Sequence, residues 1–375
     1  MLTQSDTSSG MARADLMACR ALLRGGSKTF FAASLLLPAK VRDPASALYA
    51  FCRLADDAVD CGDAVVADTI ARLRDRLDLA YAGRPLPLPA DRAFAATVAQ
   101  FNIPRALPEA LIEGFEWDAA GRRYETLPDL LGYAARVAGS VGAMMTLVMG
   151  VDAPSVVSRA CELGMAMQLS NIARDVGEDA RSGRIYLPLE WLREAGIDPD
   201  AWLADPVFSP ALGAVIGCVL KEADIIYKAA SAGIDCLPPL CRPAIRTAHL
   251  LYAEIGHEVE RLAFDSVSRR AVVSPSRKLR VLARGLVEQR RPQTAALTIV
   301  AKEAGFLIDA VAARASATVF AAGRTKPRRS RWSFDARIAW LVELFERLER
   351  EERLRADPAS VMRRSTQDRQ PVAQL

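Results

Sequence analysis

Gln168–Pro188 reads QLSNIARDVGEDARSGRIYLP. Within it Asn171, Asp175 and Asp179 stand four residues apart in turn. On a helix they share one face, a polar stripe about 12 Å long at ~1.5 Å rise per residue. Met165, Leu169, Ile172 and Val176 form an apolar stripe beside it. A helix that turns two acids and an amide toward a core needs a cation there, because buried carboxylates without partners are expensive. Oxygen ligands of this kind suit Mg²⁺, a hard ion that keeps waters and substrate phosphates in its shell.

An echo lies earlier in the chain, in ALYAFCRLADDAVD, residues 47–60. Asp56 and Asp60 are again four apart, with Asp57 beside them. Tyr49, Arg53, Asp56 and Asp60 share one helical face, and each acid cluster keeps an arginine close, Arg53 or Arg174. A single pair of acids at this spacing is commonly a solvated face paired with basic side chains. Two such pairs with inward amide and arginine neighbours predict facing helices that cage several divalent ions and a diphosphate.

The bulk properties narrow the alternatives. The 375 residues are 51% hydrophobic, enough for a large buried core. The net charge of +4 is too mild to mark a nucleic-acid binder. Cysteines without a C-x-x-C pair, and no apolar leader after Met1, predict a reducing, cytoplasmic setting. His249 and His257 are the only histidines, which argues against a histidine zinc site or a Ser-His-Asp triad. Neither G-x-x-x-x-G-K-[ST] nor G-x-G-x-x-G occurs, so a P-loop or Rossmann site has no support. The longest uncharged apolar run, 137–151, falls short of the ~20 residues that span a bilayer and reads as a core helix.

No stretch of useful length alternates with a period of two, so the chain reads as all-α. Residues 1–10 are expected to be disordered. A helix over Ala12–Arg24 is broken by Gly25 and Gly26. Ser27 and Lys28 after the glycines read either as a phosphate-holding turn or as a plain interhelical turn. Asp43 and Pro44 are expected to open the helix that carries the first acids. Leu127–Gly150 reads as one long apolar helix with Tyr133, Gly139 and Gly142. Each internal glycine costs about 1 kcal/mol relative to alanine. Such glycines serve close helix packing or leave room for a bulky ligand. Helices over Pro154–Ala180, Ala211–Gly233 and Pro238–Leu262, the last with Tyr252, precede a basic stretch over Phe264–Lys278. Beyond Pro292 come an alanine-rich helix, the basic linker Arg324–Arg331 and an amphipathic helix over Ser333–Arg355. The organisation expected is a catalytic domain over 11–292, a helical extension over 293–357 and a disordered tail over 358–375.

R53-L-A-D56-D57-A-V-D60, Q168-L-S-N171-I-A-R174-D175-V-G-E-D179 and G183-R184-I-Y186-L-P188 together resemble the squalene/phytoene synthase family. YAFCRLADDAVD, YAARVAGSVG and SRRAVVSPSRK look most like its bacterial phytoene-forming members. The similarity runs over about residues 15–290. It implies a single-domain isoprenoid synthase fold, antiparallel helices around a central cavity. It also implies head-to-head condensation of two geranylgeranyl diphosphates, through prephytoene diphosphate, to phytoene, as the first committed step of carotenoid biosynthesis.

That resemblance assigns roles by residue. Asp56, Asp60, Asn171, Asp175 and Asp179 become metal ligands for Mg²⁺, with Mn²⁺ as a substitute, and Asp57 a weaker candidate. Arg53, Arg174 and Arg184 grip diphosphate oxygens. Ser27 and Lys28 lie near the leaving group, and Arg269 or Arg270 closes over it, spacing alone not choosing between the two. Phe30, Tyr49, Tyr133, Tyr186 and Tyr252 either line the path of a carbocation or fill the core. Ala138, Gly139 and Gly142 leave a slot for the prenyl tail, and Gln168 lies near the reacting carbons. No NADPH is expected, since the last cation loses a proton. Peripheral contact with the inner face of a membrane and association with neighbouring carotenoid enzymes are expected partners. The alternatives are a sister enzyme using farnesyl diphosphate, giving presqualene diphosphate, hydroxysqualene or dehydrosqualene, and a non-catalytic assembly protein on the same scaffold.

Overall fold

A computed structural model describes residues 5–60, 66–287 and 302–318. Among the described residues the chain is helical without a strand. The first half runs through α1 (Ser5–Gly26), α2 (Lys28–Leu35), α3 (Ala39–Asp60), α4 (Val66–Tyr81), α5 (Pro89–Phe101) and α6 (Ala106–Ala119). Then come α7 (Leu127–Ala134), α8 (Ser140–Val148) and the long α9 (Pro154–Arg181). Two short helices, α10 (Leu189–Glu194) and α11 (Pro199–Ala204), lead to α12 (Pro210–Ile234) and α13 (Arg242–Arg261). Last are α14 (Pro275–Val287) and α15 (Gly305–Thr318).

The middle of the molecule is α9. Its apolar stripe is sunk as the periodicity demands: Met165, Leu169, Ile172 and Val176 are all buried. Met165 belongs to a core shared with α3–α6, α8 and α15, while Leu169, Ile172 and Val176 belong to a second core shared with α7, α12 and α13. Each fully buried Leu, Ile or Met contributes about 1.5–3 kcal/mol. The apolar slot described below opens between these two cores.

Two local features depart from expectation. The helix carrying the first acids begins at Ala39, not at Asp43, and Pro44 lies inside it. Asp43 is no cap, because its carboxylate pairs with Arg20 of α1. The apolar helix over 127–150 is interrupted by a π turn, Ala135–Gly139. Such turns insert a residue into the helix and gather at functional sites. Here the turn adjoins the cavity wall formed by Val137 and Ala138. The whole span Leu127–Val148 is apolar and long enough to cross a bilayer, yet more than half of it is buried in the protein.

The expected extension after 292 is described only over 302–318. There Leu307, Ile308 and Val311 enter the same core as α8 and α9, so α15 is a wall of the main body and not an appendage. The linker Arg324–Arg331 and the amphipathic Ser333–Arg355 lie outside the described residues, as do 1–4 and the tail over 358–375.

Candidate active site

Four helices bring the predicted aromatic and polar residues to one cavity of about 320 Å³. Phe30 comes from α2, Tyr49 from α3, Gln168 and Asn171 from α9, and Tyr252 from α13. The Phe30 ring lies 5.0 Å from that of Tyr252 and 6.4 Å from that of Tyr49. Burial holds both phenols protonated across ordinary pH. The rest of the lining is almost wholly apolar, including Ala138 and Gly142. Cys52 belongs to it, and burial pushes its thiol up to about 12, so it acts as a small apolar wall.

Glycines set this shape. A Cβ on Gly142 would fall 2.2 Å from the carbonyl oxygen of Ala160, and one on Gly164 would fall 2.3 Å from that of Ala138. The π turn, α8 and α9 therefore meet backbone to backbone, and Gly142 serves close packing and cavity wall together. Gly139 does not line the cavity; it faces Leu307 and Met165 at ordinary contact. Gly26 carries a role that its sequence did not show. Its missing Cβ leaves the place of the Tyr49 phenol oxygen, which would lie 2.3 Å away. Ser27 caps α2, accepting from the Phe30 amide at 3.2 Å, and hydrogen-bonds the Tyr252 phenol. The side chain of Lys28 lies outside the described residues.

The acid clusters lie at the end of the cavity marked by Tyr49, Asn171 and Tyr252. On α3, Arg53 holds Asp57 through Nη2 at 2.7 Å and approaches Asp56 at 3.5 Å. The side chain of Asp60 lies outside the described residues. On α9, Arg174 Nε donates to Asp175 Oδ1 at 2.8 Å, and Arg270 Nε donates to the same oxygen at 2.8 Å. Burial pushes the Asp175 carboxyl up, but the two guanidinium groups outweigh it and hold the group below its usual range. Asp179 has the opposite fate. Burial first, then the charges of Asp175 and Asp118, push its carboxyl up to about 7, against the pull of Arg184.

Arg270 reaches Asp175 because the segment after α13 folds back onto α9. Ala263 and Phe264 adopt left-handed backbone conformations, at φ 53° and 63°, and turn the chain. Ser266 then donates through Oγ to the Ala173 carbonyl at 2.6 Å and accepts from the Gly177 amide at 3.0 Å. A Cβ on Gly177 would meet the Val267 carbonyl oxygen at 2.5 Å, so this glycine admits the segment. Arg269 and Arg270 are both exposed, and it is Arg270 that pairs with Asp175.

Tyr133 and Tyr186 are placed away from the cavity wall. Their phenols donate to the two oxygens of Asp118, at 2.8 and 2.7 Å, and their rings stack at 5.2 Å. The GRIYLP segment makes this possible. Gly183 ends α9 at φ 75°, Ile185 and Leu187 turn into the core, and Tyr186 between them turns to Asp118. Asp118, at the end of α6, was not singled out by any spacing. It ties α6, α7 and GRIYLP together and adds its charge beside Asp179.

The oxygen-rich, mostly acidic donor set fits a hard divalent cation. The raised Asp179 carboxyl is what a buried acid beside other acids shows when only protons are available to neutralise it. Among the described residues no three acidic, cysteine or histidine side chains converge into a closed metal cage. An open arrangement of this kind suits an ion that completes its shell with water and substrate phosphate.

Comparison with known proteins agrees in extent with this architecture. Residues 23–277 match the squalene/phytoene synthase family. A phytoene synthase of Rhodobacter capsulatus is 54% identical over 275 residues, covering 73% of this chain and 81% of that protein. A phytoene synthase of Cereibacter sphaeroides is 50% identical over 343 residues, covering 89% of this chain and 94% of its own. Among solved structures, a dehydrosqualene synthase superposes with a TM-score of 0.66 at 30% identity, covering 73% of this chain and 96% of the other.

Proposed function

The chain belongs to the squalene/phytoene synthase family and is an enzyme of the phytoene synthase type, and we propose that it condenses two molecules of geranylgeranyl diphosphate. The observation that carries this reading is the joining of a long apolar slot to a mouth of carboxylates and guanidinium groups. An amphipathic substrate with a diphosphate head and a prenyl tail matches both ends.

Asp56, Asp60, Asn171, Asp175 and Asp179 would hold Mg²⁺ or Mn²⁺, with Asp57 at the rim. Such an ion, when bound, supplies the Lewis acidity that neutralises a departing diphosphate. Arg53, Arg174, Arg184 and Arg270 donate to diphosphate oxygens, where planar guanidinium groups bind best. In the first half-reaction the C–O bond of one substrate breaks and diphosphate takes the electron pair. The allylic cation adds to the double bond of the second substrate, and loss of a proton closes the cyclopropane of prephytoene diphosphate. In the second, that diphosphate leaves, the ring opens to a new C–C bond, and a second proton loss gives phytoene without reductant. Phe30, Tyr49 and Tyr252 turn π faces to the cations, and the neutral phenols offer them no phenoxide to capture. The apolar wall keeps water from the same cations.

The forty-carbon product and prenylated substrates favour a cytoplasmic enzyme held at a membrane surface beside neighbouring carotenoid enzymes. Sedimentation with anionic liposomes tests this, comparing the full chain with one ending after 318, which keeps α15 in the core. Equal binding removes the last segment from the reading. The main test is product analysis. Purified protein with geranylgeranyl diphosphate and Mg²⁺, without NADPH, is expected to yield a forty-carbon triene-centred hydrocarbon. A thirty-carbon product from farnesyl diphosphate alone would overturn the substrate assignment.

A further inference from the structure

We propose that the outward face of α14, with the segment leading into it, docks this protein on an anionic lipid bilayer beside the mouth of the active site. The inference deepens the membrane reading above, on which it rests, by naming the surface. Between Asp265 and Glu288 the chain holds six basic residues and no acidic one, more positive charge than its whole net charge of +4. Two of the six are held by acids. Arg270 pairs with Asp175 and Glu178, and Arg277 Nη1 pairs with Glu254 Oε1 of α13 at 3.3 Å. Lys278 is half-buried, while Arg269, Arg280 and Arg284 are exposed.

The outward face is apolar as well as basic. Along the entering segment the side chains alternate: Ala271 and Val273 are buried, whereas Val272 between them is 69% exposed. On α14 Leu282 is buried in the body of the protein. Ser276, Leu279, Arg280, Ala283 and Arg284 are exposed, at the three- and four-residue spacing of one helical face. Arginines interleaved with exposed valine and leucine are the composition of a helix that lies in a membrane interface. The guanidinium groups meet anionic headgroups, and the apolar side chains enter the acyl boundary. A nucleic acid would use the arginines and give Val272 and Leu279 no partner.

This face adjoins the mouth. Along α13 the cavity residues Ala244, Ile245 and Ala248 come first and Tyr252 last, and Glu254 and Glu258 beyond it anchor Arg277. At the start of the same segment Arg270 sits on Asp175. A prenyl diphosphate keeps its charged head in the headgroup layer, so docking here brings the mouth to where such a substrate collects.

The test is sedimentation of the full chain with vesicles of phosphatidylcholine alone, or with about one-third phosphatidylserine. The parent is expected to bind the anionic vesicles at least about tenfold more tightly, and less so as salt rises. Arg280→Gln/Arg284→Gln removes two charges at roughly fivefold each and is expected to weaken that binding about twentyfold. Val272→Ser/Leu279→Ser keeps every charge and is expected to weaken it about tenfold. None of the four lines the cavity, so turnover of detergent-dispersed substrate is expected to stay parental. A parent that binds neither vesicle refutes the membrane reading itself, and the face with it. Equal binding of the parent to both vesicles refutes the anionic surface. Where the parent binds, parental binding in either variant that melts like it refutes the face alone, and places the bilayer contact elsewhere or another segment of the chain over α14.

Discussion

The two acid clusters share a spacing but not an environment. On α3 the side chains of Asp56 and Asp57 are each 43% exposed and lean on one arginine. On α9 Asp175 is 17% exposed and held between Arg174 and Arg270, with Asp179 pushed up to about 7 beside it. The difference comes from position. α3 carries its acids in its last turns, whereas α9 runs between two cores and is covered by the segment after α13. Water screens the first cluster, so its ion pairs contribute little to stability. The second is sheltered, so its charges are strongly coupled and dependent on their partners.

Removing an acid separates the clusters by stability while both lose activity. Asp56→Ala and Asp175→Ala are each expected to lower product formation at least about a thousandfold, the scale of losing Lewis-acid support for a leaving diphosphate. Only Asp175→Ala is expected to destabilise the folded chain strongly, on the order of 3 kcal/mol, by taking the carboxylate from the sheltered Arg174 guanidinium, while Arg270 keeps Glu178. Asp56→Ala is expected to cost under about 1 kcal/mol. Equal shifts in thermal melts would break the comparison.

The aromatic side of the α3 cluster can be displaced without touching a charge. Gly26→Ala puts a methyl group 2.3 Å from the Tyr49 phenol oxygen. The expected loss of turnover is roughly tenfold to a hundredfold, the scale of an ångström of misplacement. Parental turnover would show that Tyr49 is free to move.

A pH titration sharpens the contrast further. The Asp179 carboxyl rises from an ordinary value of 3.8 to about 7, so its ionisation opposes folding. The cost is absent below the lower value, grows as pH rises between the two, and is complete above the higher one. In chelator, Asp179→Asn is therefore expected to melt like the parent near pH 4 and several degrees above it near pH 8. With Mg²⁺ the advantage is expected to vanish, because the ion favours the ionised carboxylate. Melts that never diverge with pH in chelator would refute the sheltered carboxylate. The smallest contrast concerns neighbouring arginines. Arg270→Gln is expected to raise KM roughly tenfold through lost diphosphate contact, while exposed Arg269→Gln is expected to change it less than twofold; equal effects would remove the distinction.

Local rules made much of this legible. The helix of 168–180, its buried stripe and its row of acids follow from a period of 3.6 residues acting on neighbours in sequence. The same logic places Tyr49, Arg53, Asp56 and Asp60 on one face of α3, whereas Phe30, Ala138, Gly142, Gln168 and Tyr252, which line the cavity, are named by the family resemblance and not by periodicity. Other assignments needed contacts between distant segments. Nothing in the spacing links Asp118 to Tyr133 and Tyr186, which it joins through hydrogen bonds from α7 and GRIYLP. Pro44 looked like a helix start because only the fold shows Arg20 reaching Asp43.

The sequence by itself determined that the chain is helical, and which helices carry acids and on which face. These are properties of residue type and short-range periodicity. Only the tertiary structure decided that Arg270 and not Arg269 meets Asp175, since the choice depends on the docking of Ser266 and Val267 against Gly177. It also decided that Asp179 is sheltered while Asp56 is wet, and that α15 closes the core. Burial and electrostatic coupling arise where remote segments exclude water together, and no local pattern encodes that distance.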